Sequence, residues 1–173
     1  PAPDRLLPTI LSRVRRLDLA PLDAPVLEGL LAGLLPALEP TARATLTRIA
    51  EGSAGGALAL AEGEGLAMQA LVEQALALPA RTEWHSLAEQ VAAKRDGSAF
   101  ATFLALLRRG ISAAVRQAAR GAAAPPWLAA RPLAEWSTLW DTIGKLAAEN
   151  DALSLDRNQA VLTVLGWLAA GRR

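Results

Sequence analysis

SAFATFLALLRRGISAAVRQAAR, residues 98–120, decides the fold. Phe100, Phe103, Leu104, Leu107, Ile111, Ala114 and Val115 recur at intervals of three and four, the spacing of one helical face. Arg108, Arg109, Arg116 and Arg120 lie largely outside that face. Ser98 stands where an N-cap belongs, so the stretch is expected to be one long amphipathic helix opened by Ser98.

The same reading extends in both directions. Upstream, Asp23 is expected to cap a helix with Pro25 in its first turn, carrying Leu27, Leu30, Leu31, Leu34, Leu35 and Leu38 at helical spacing and bent or ended near Pro36. Pro40 opens a second helix, residues 41–50, which Glu51-Gly52 stops. A third starts in Ser53-Ala54-Gly55-Gly56 and covers residues 57–62. Two further helices follow at residues 66–78, ended by Pro79, and 83–95, presenting Trp84, Leu87, Ala88 and Val91. Downstream, residues 121–126 read as a linker. Pro132 is expected at the first position of a helix bearing Leu133, Trp136, Trp140, Ile143 and Ala147. Asp156, with Gln159 three residues on, opens the last helix, which buries Val161, Leu162, Leu165 and Leu168. Residues 16–19 fit a short strand that needs a sheet from elsewhere. The expected fold class is all-α: a small three-helix bundle over residues 23–62, then a five-helix bundle over residues 63–173.

Composition agrees and excludes several chemistries. The 173 residues are 52% hydrophobic and 20% charged, far from the composition of disordered chains. Aromatic residues are 4% and Tyr is absent, which favours helix over sheet. With no cysteine and one histidine, disulfides, thiolate nucleophiles and Cys-based zinc modules are ruled out. No metal and no cofactor is expected. The longest apolar stretches, residues 122–128 and 161–170, fall short of the roughly 20 residues that cross a bilayer, so no membrane association is expected. Pro1-Ala2-Pro3-Asp4 is neither a signal peptide nor a start, and the chain reads as a fragment of a longer protein.

Candidate chemistry is sparse. No Gly-Lys-Ser or Gly-Lys-Thr is present to cradle a phosphate. Residues 52–56 offer backbone amides to an anion but read better as a glycine-rich turn. His85 has no second ligand for a metal and reads as a surface residue. Glu62 with Glu64, and Asp151 with Asp156, read as helix-end carboxylates. Lys and Arg number 18 against 17 Asp and Glu, and no aromatic residues interleave with the basic ones, so a solvated face accounts for the arginines better than nucleic acid does. Trp136, Trp140 and Trp167 read as core or interface anchors.

Three segments, in order, resemble the delta-prime family of the bacterial DNA polymerase III clamp loader. LLPTILSRV at residues 6–14 is similar to the family's Leu-Leu-x-Thr-x-x-Ser-Arg-Cys, with Val14 in place of Cys. EGSAGGALAL at residues 51–60 is similar to its Gly-Ser-Pro-Gly-x-Ala-Leu-x-Leu turn. LSLDRNQAVL at residues 153–162 is similar to its Leu-Asn-Leu-Asp-Arg-Lys-Gln. The resemblance implies the end of an AAA+ ATPase domain at residues 1–22, a three-helix lid at 23–62 and a helical collar for oligomerisation at 63–173.

It further implies a cytoplasmic hetero-pentamer with clamp-loader ATPase subunits and a delta subunit, acting on the sliding clamp and primed DNA. By the same resemblance Arg13 takes the place of an arginine finger reaching a neighbour's ATP, and Ser12 orients its turn. Such an arginine, supplied in trans, is worth about 10³ to 10⁵ in phosphoryl transfer. Gly55 stands near the place of a sensor arginine in ATP-hydrolysing subunits, which suits a member that does not hydrolyse ATP. The competing reading is a regulator's all-helical ligand-binding and dimerisation domain, with an apolar molecule enclosed by the tryptophans; it leaves Ser12-Arg13 unexplained.

Overall fold

The computed structural model describes residues 9, 13, 19–77, 80–153 and 156–171. Among these residues there are eight α-helices and no strand. They are α1 (Ala24–Leu34), α2 (Pro40–Ala50), α3 (Ala54–Glu62), α4 (Gly65–Ala77), α5 (Trp84–Ala92), α6 (Ser98–Ala119), α7 (Leu133–Leu153) and α8 (Arg157–Ala169). Two 3₁₀ turns, Arg81–Glu83 and Pro126–Ala130, lead into α5 and towards α7. Of the strand expected at residues 16–19, residues 16–18 fall outside the described residues, and Leu19 has no regular secondary structure.

Helix α6 is the axis. It packs against α4 on one side and α7 on the other, with α5 also in contact, while α8 lies along α5. Helices α1, α2 and α3 pack on one another, and α2 and α3 touch α4. The buried apolar residues form one cluster from Leu27 and Leu31 in α1 to Leu168 in α8. Phe103, Leu107 and Ile111 in α6 are wholly buried in it. By length and composition α6 could cross a membrane, but its inner face is occupied by this core.

Several helix boundaries depart from the sequence expectation for local reasons. Ser98 is the first residue of α6 rather than its cap. Asp96 does the capping: its Oδ1 accepts from the Ser98 N–H at 2.9 Å and the Ser98 hydroxyl at 2.8 Å, across Gly97 at φ +76°. Pro132 sits one position earlier than expected, because its carbonyl accepts from the Trp136 N–H. Helix α5 ends at Ala92 instead of near Arg95, and α3 begins at Ala54, one turn early, with the Ser53 hydroxyl accepting from the Gly56 N–H at 3.0 Å. Asp156 caps α8 as the sequence predicts, accepting from the Gln159 N–H at 3.1 Å. In α7, Leu139 is buried and Trp140 only half so, the reverse of the expected stripe. In α1, Leu27 and Leu31 are buried, whereas Leu30 and Leu34 face solvent because only one side of the helix meets α2 and α3.

The carboxyl ends of the helices are closed in two ways. Helix α6 ends in a Schellman turn: Ala122 N–H donates to Gln117 O, and Gly121 N–H to Ala118 O, with Gly121 at φ +75°. At two other places an arginine from a distant segment binds carbonyls at or just past a helix end. Arg157 donates to Lys94 O and Arg95 O just past α5, at 3.4 and 2.8 Å. Arg131 donates to Trp167 O and Leu168 O at the end of α8, at 2.7 and 3.0 Å, with its guanidinium 4.9 Å from the Trp136 ring centroid.

Two expectations follow. Phe103→Ala should lower the unfolding free energy by about 3–5 kcal/mol in urea titration, the usual cost of emptying a buried aromatic site. The Asp96 carboxyl is held below its ordinary pKa, chiefly by the backbone and then the side-chain hydrogen bond from Ser98. A carboxylate lowered on folding contributes above the ordinary carboxylate range and ceases to as the pH falls through its folded value. Asp96→Ala should therefore lower the thermal midpoint at neutral pH, with the gap to the parent chain closing in strong acid.

Candidate functional site

The sequence marks Arg13 and Ser12 first. Arg13 lies in a turn and is exposed, as is Thr9 four residues before it; Ser12 falls outside the described residues. The second marked segment, residues 51–56, is the turn between α2 and α3 together with the first three residues of α3. Glu51 ends α2 at φ +47°, and Gly52 follows at φ +83° with its backbone O accepting from the Leu22 N–H at 2.9 Å. A Cβ on Gly52 would lie 2.5 Å from the Pro21 Cβ, so the approach of residues 21–22 requires glycine there. Gly55 differs: a Cβ there would meet nothing within 4 Å.

Arg109, Arg116 and Arg120 of α6 are exposed, as a solvated face requires, and Arg108 is half-buried; three of the four also make contacts within the chain. Arg108 lies flat on Trp140, its Cζ 3.8 Å from the ring centroid, and its Nε donates to Trp140 O at 3.2 Å. Gly144 makes room, since a Cβ there would lie 2.8 Å from the Arg108 Cζ. Arg109 points the other way, donating to Ile49 O at the end of α2 and pairing with Glu51 at 3.7 Å. Arg116 takes the other oxygen of Glu51 at 2.9 Å and also bonds the Ser112 hydroxyl. A glutamate at positive φ is held by two guanidinium groups, and that fork ties α2 to α6.

Beside this fork is a cleft of about 470 Å³ between α2, α4, α6 and residues 123–127. Val72, Leu76, Leu106 and Ala114 give it apolar walls, and Trp127 stands at one side. The polar groups on its rim bind one another. Arg48 pairs with Glu73 at 2.8 Å, and the buried Gln69 donates to the same Glu73 oxygen at 2.9 Å. This arrangement favours an apolar contact over acid–base chemistry, because its carboxylate already has two partners.

Of the remaining sequence candidates, the Asp151 side chain lies outside the described residues. His85 is exposed. Glu64 pairs with Lys94 at 3.2 Å, Glu62 is exposed, and Asp156 caps α8. Among the described residues, no group of three or more His, Asp or Glu is placed to hold a metal ion. Trp136 is buried, stacked edge-on against Trp127 at 5.0 Å, with its indole N–H donating to Leu128 O at 2.9 Å. An open groove of about 320 Å³ runs past Trp136 and Trp140, and Trp167 does not line it. The 470 Å³ cleft and the cross-helix arginine contacts escaped the sequence reading. An arginine's position on a helix shows which face it leaves, not which distant carbonyl it reaches.

Comparison with protein-family models, curated proteins and solved structures finds no match to this chain.

The fork predicts unequal costs. Arg109→Ala, which strands the Ile49 carbonyl, should destabilise by about 1–2 kcal/mol. Arg116→Ala, which removes an exposed ion pair, should cost less than about 1 kcal/mol. Urea unfolding of the two variants checks the order.

Proposed function

We propose that this chain belongs to a delta-prime-type subunit of the bacterial replicative clamp loader, one that does not hydrolyse ATP itself. The observation that carries the reading is the occurrence, in family order, of three motif segments at residues 6–14, 51–60 and 153–162. In this reading residues 1–22 close an ATPase domain, 23–62 form its lid, and 63–173 form the collar that holds the pentamer together. The partners are the clamp-loader ATPase subunits and the delta subunit, and the assembly works in the cytoplasm on the sliding clamp and primed DNA. No cofactor is assigned to this chain.

Local chemistry supports the reading at three points. Ser53 and Asp156, both within the motif segments, cap helices, a task for which few residue types serve. Arg13 is exposed, as a side chain acting on a neighbour's nucleotide must be. The open space around Gly55 means that packing does not impose glycine where hydrolysing subunits carry a sensor arginine. The missing charge suits a subunit that does not hydrolyse ATP.

The first test is assembly. Mixed with the clamp-loader ATPase and delta subunits of the same organism, the chain should co-elute with both in size exclusion with light scattering, at pentamer stoichiometry. Elution apart from both subunits overturns the reading. The second test is Arg13→Ala in the assembled loader. It should leave assembly intact and slow ATP turnover and clamp loading; normal turnover at saturating clamp and DNA removes the finger role from Arg13.

A further inference from the structure

A hollow of about 270 Å³ on the side of α6 is lined by Glu51, Arg108, Arg109, Ser112, Arg116 and Trp140. Three guanidinium groups there face one carboxylate, which leaves two positive charges over. The 470 Å³ cleft is different, because its Arg48–Glu73 and Arg109–Glu51 pairs balance. A ligand chosen by charge therefore belongs in the smaller hollow.

Its guanidinium groups are fixed by the chain itself. Arg108 is stacked on Trp140 and seated over Gly144, where a Cβ would lie 2.8 Å from the Arg108 Cζ. Arg109 is anchored on the Ile49 carbonyl, and Arg116 on Glu51 and the Ser112 hydroxyl. These contacts leave further N–H groups on each guanidinium to donate outwards. Arginines already held in place also spare a ligand much of the cost of ordering them.

A second hollow, the groove of about 320 Å³ past Trp136, shares Ser112, Arg116 and Trp140 with the first, so the two adjoin between α6 and α7. Its chemistry is not the same. Ile111, Val115 and Trp136 give apolar walls, and Ser137 and Asp141 add a hydroxyl and a carboxylate. The first hollow suits an anion. The second suits a ring with an apolar face and with O–H or N–H groups on its edge, because Asp141 accepts such donors and repels a further anion.

We infer that the two hollows form one small-molecule site for a phosphomonoester of a polar ring compound, a sugar phosphate or a mononucleotide. The phosphate lies among Arg108, Arg109 and Arg116, and the ring lies in the groove beside Trp140. A phosphomonoester carries about −1.5 to −2 charges at neutral pH, which matches the surplus, whereas a carboxylate brings only half of it. Guanidinium forks also fit phosphate oxygens two at a time. Of the clamp-loader motif segments the site uses Glu51 alone. It goes beyond that reading, and its test needs no other subunit.

Isothermal titration calorimetry of the 173-residue chain tests it, with adenosine monophosphate, glucose-6-phosphate, adenosine, glucose and inorganic phosphate each taken to millimolar concentration. At least one of the two monophosphates should bind, one molecule per chain, more tightly than inorganic phosphate and than its own unphosphorylated parent; which of them binds distinguishes a nucleotide from a sugar phosphate. Arg116→Ala should weaken that binding about tenfold, the loss of one charged hydrogen bond. Arg120→Ala removes the same charge from α6 at a residue that lines neither hollow and should leave the affinity unchanged. Both arginines are exposed, so helical circular dichroism should match the parent chain in each variant. Failure of both monophosphates to bind at millimolar concentration overturns the inference. So does inorganic phosphate that binds as tightly as either of them, which shows an adventitious ion only, and so does an equal loss in the two variants.

Discussion

Charged hydrogen bonds from arginine to the carbonyl ends of helices hold this bundle in register. A helix leaves its last four carbonyls without partners, with the negative end of the helix dipole gathered there. In this chain two of those ends are met by guanidinium groups from elsewhere, Arg109 on α2 and Arg131 on α8, and Arg157 binds the carbonyls of Lys94 and Arg95 in the loop just past α5. Leucine and alanine surfaces attract without much direction, and helices coated in them can slide or rotate at small cost. A guanidinium fixed to two named carbonyls, as with Arg131 on Trp167 and Leu168, permits neither motion. Apolar burial supplies the cohesion, and these contacts select one arrangement of it.

That division of labour explains what the sequence made legible. The buried face of α6 could be read directly, since Phe103, Leu107 and Ile111 follow the helical period and nothing competes with it. The cap at Asp156 was equally plain. The fate of α1 was not, because its leucines surround more of the helix than α2 and α3 can cover, and periodicity does not say which neighbour is missing. The Ser98 start was misread for a local reason. Asp96 lies two residues upstream and takes both donors of Ser98, which a scan for a single capping residue does not register. The candidate site was less legible still. Arg13 and Ser12 rest on likeness of pattern, while the Glu51 fork depends on residues 58 and 65 positions apart along the chain that only the fold brings together.

The arginine contacts also bear on partners. A pI near 9.0 accompanies a net charge of only +1, because 18 basic residues are nearly matched by 17 acidic ones. Arg108, Arg109, Arg116, Arg131 and Arg157, five of the 18 basic residues, are also engaged within the chain. A partner meets a mosaic of apolar patches and small ion pairs, with the cleft beside Arg48 and Glu73 and the exposed leucines of α1 as its larger apolar features.

The bond between Leu22 and Gly52 gives these parts a mechanical connection. Residues 21 and 22 are seated on a glycine that has no room to yield, and the next residue back, Glu51, is gripped by two arginines of α6. The turn cannot act as a slack joint. Tension applied to the chain ahead of Leu22 is carried by backbone into the turn, by the carboxylate into α6, and by the aromatic stack of Arg108 on Trp140 into α7. A pull at one edge of the molecule is thus borne by its central helix.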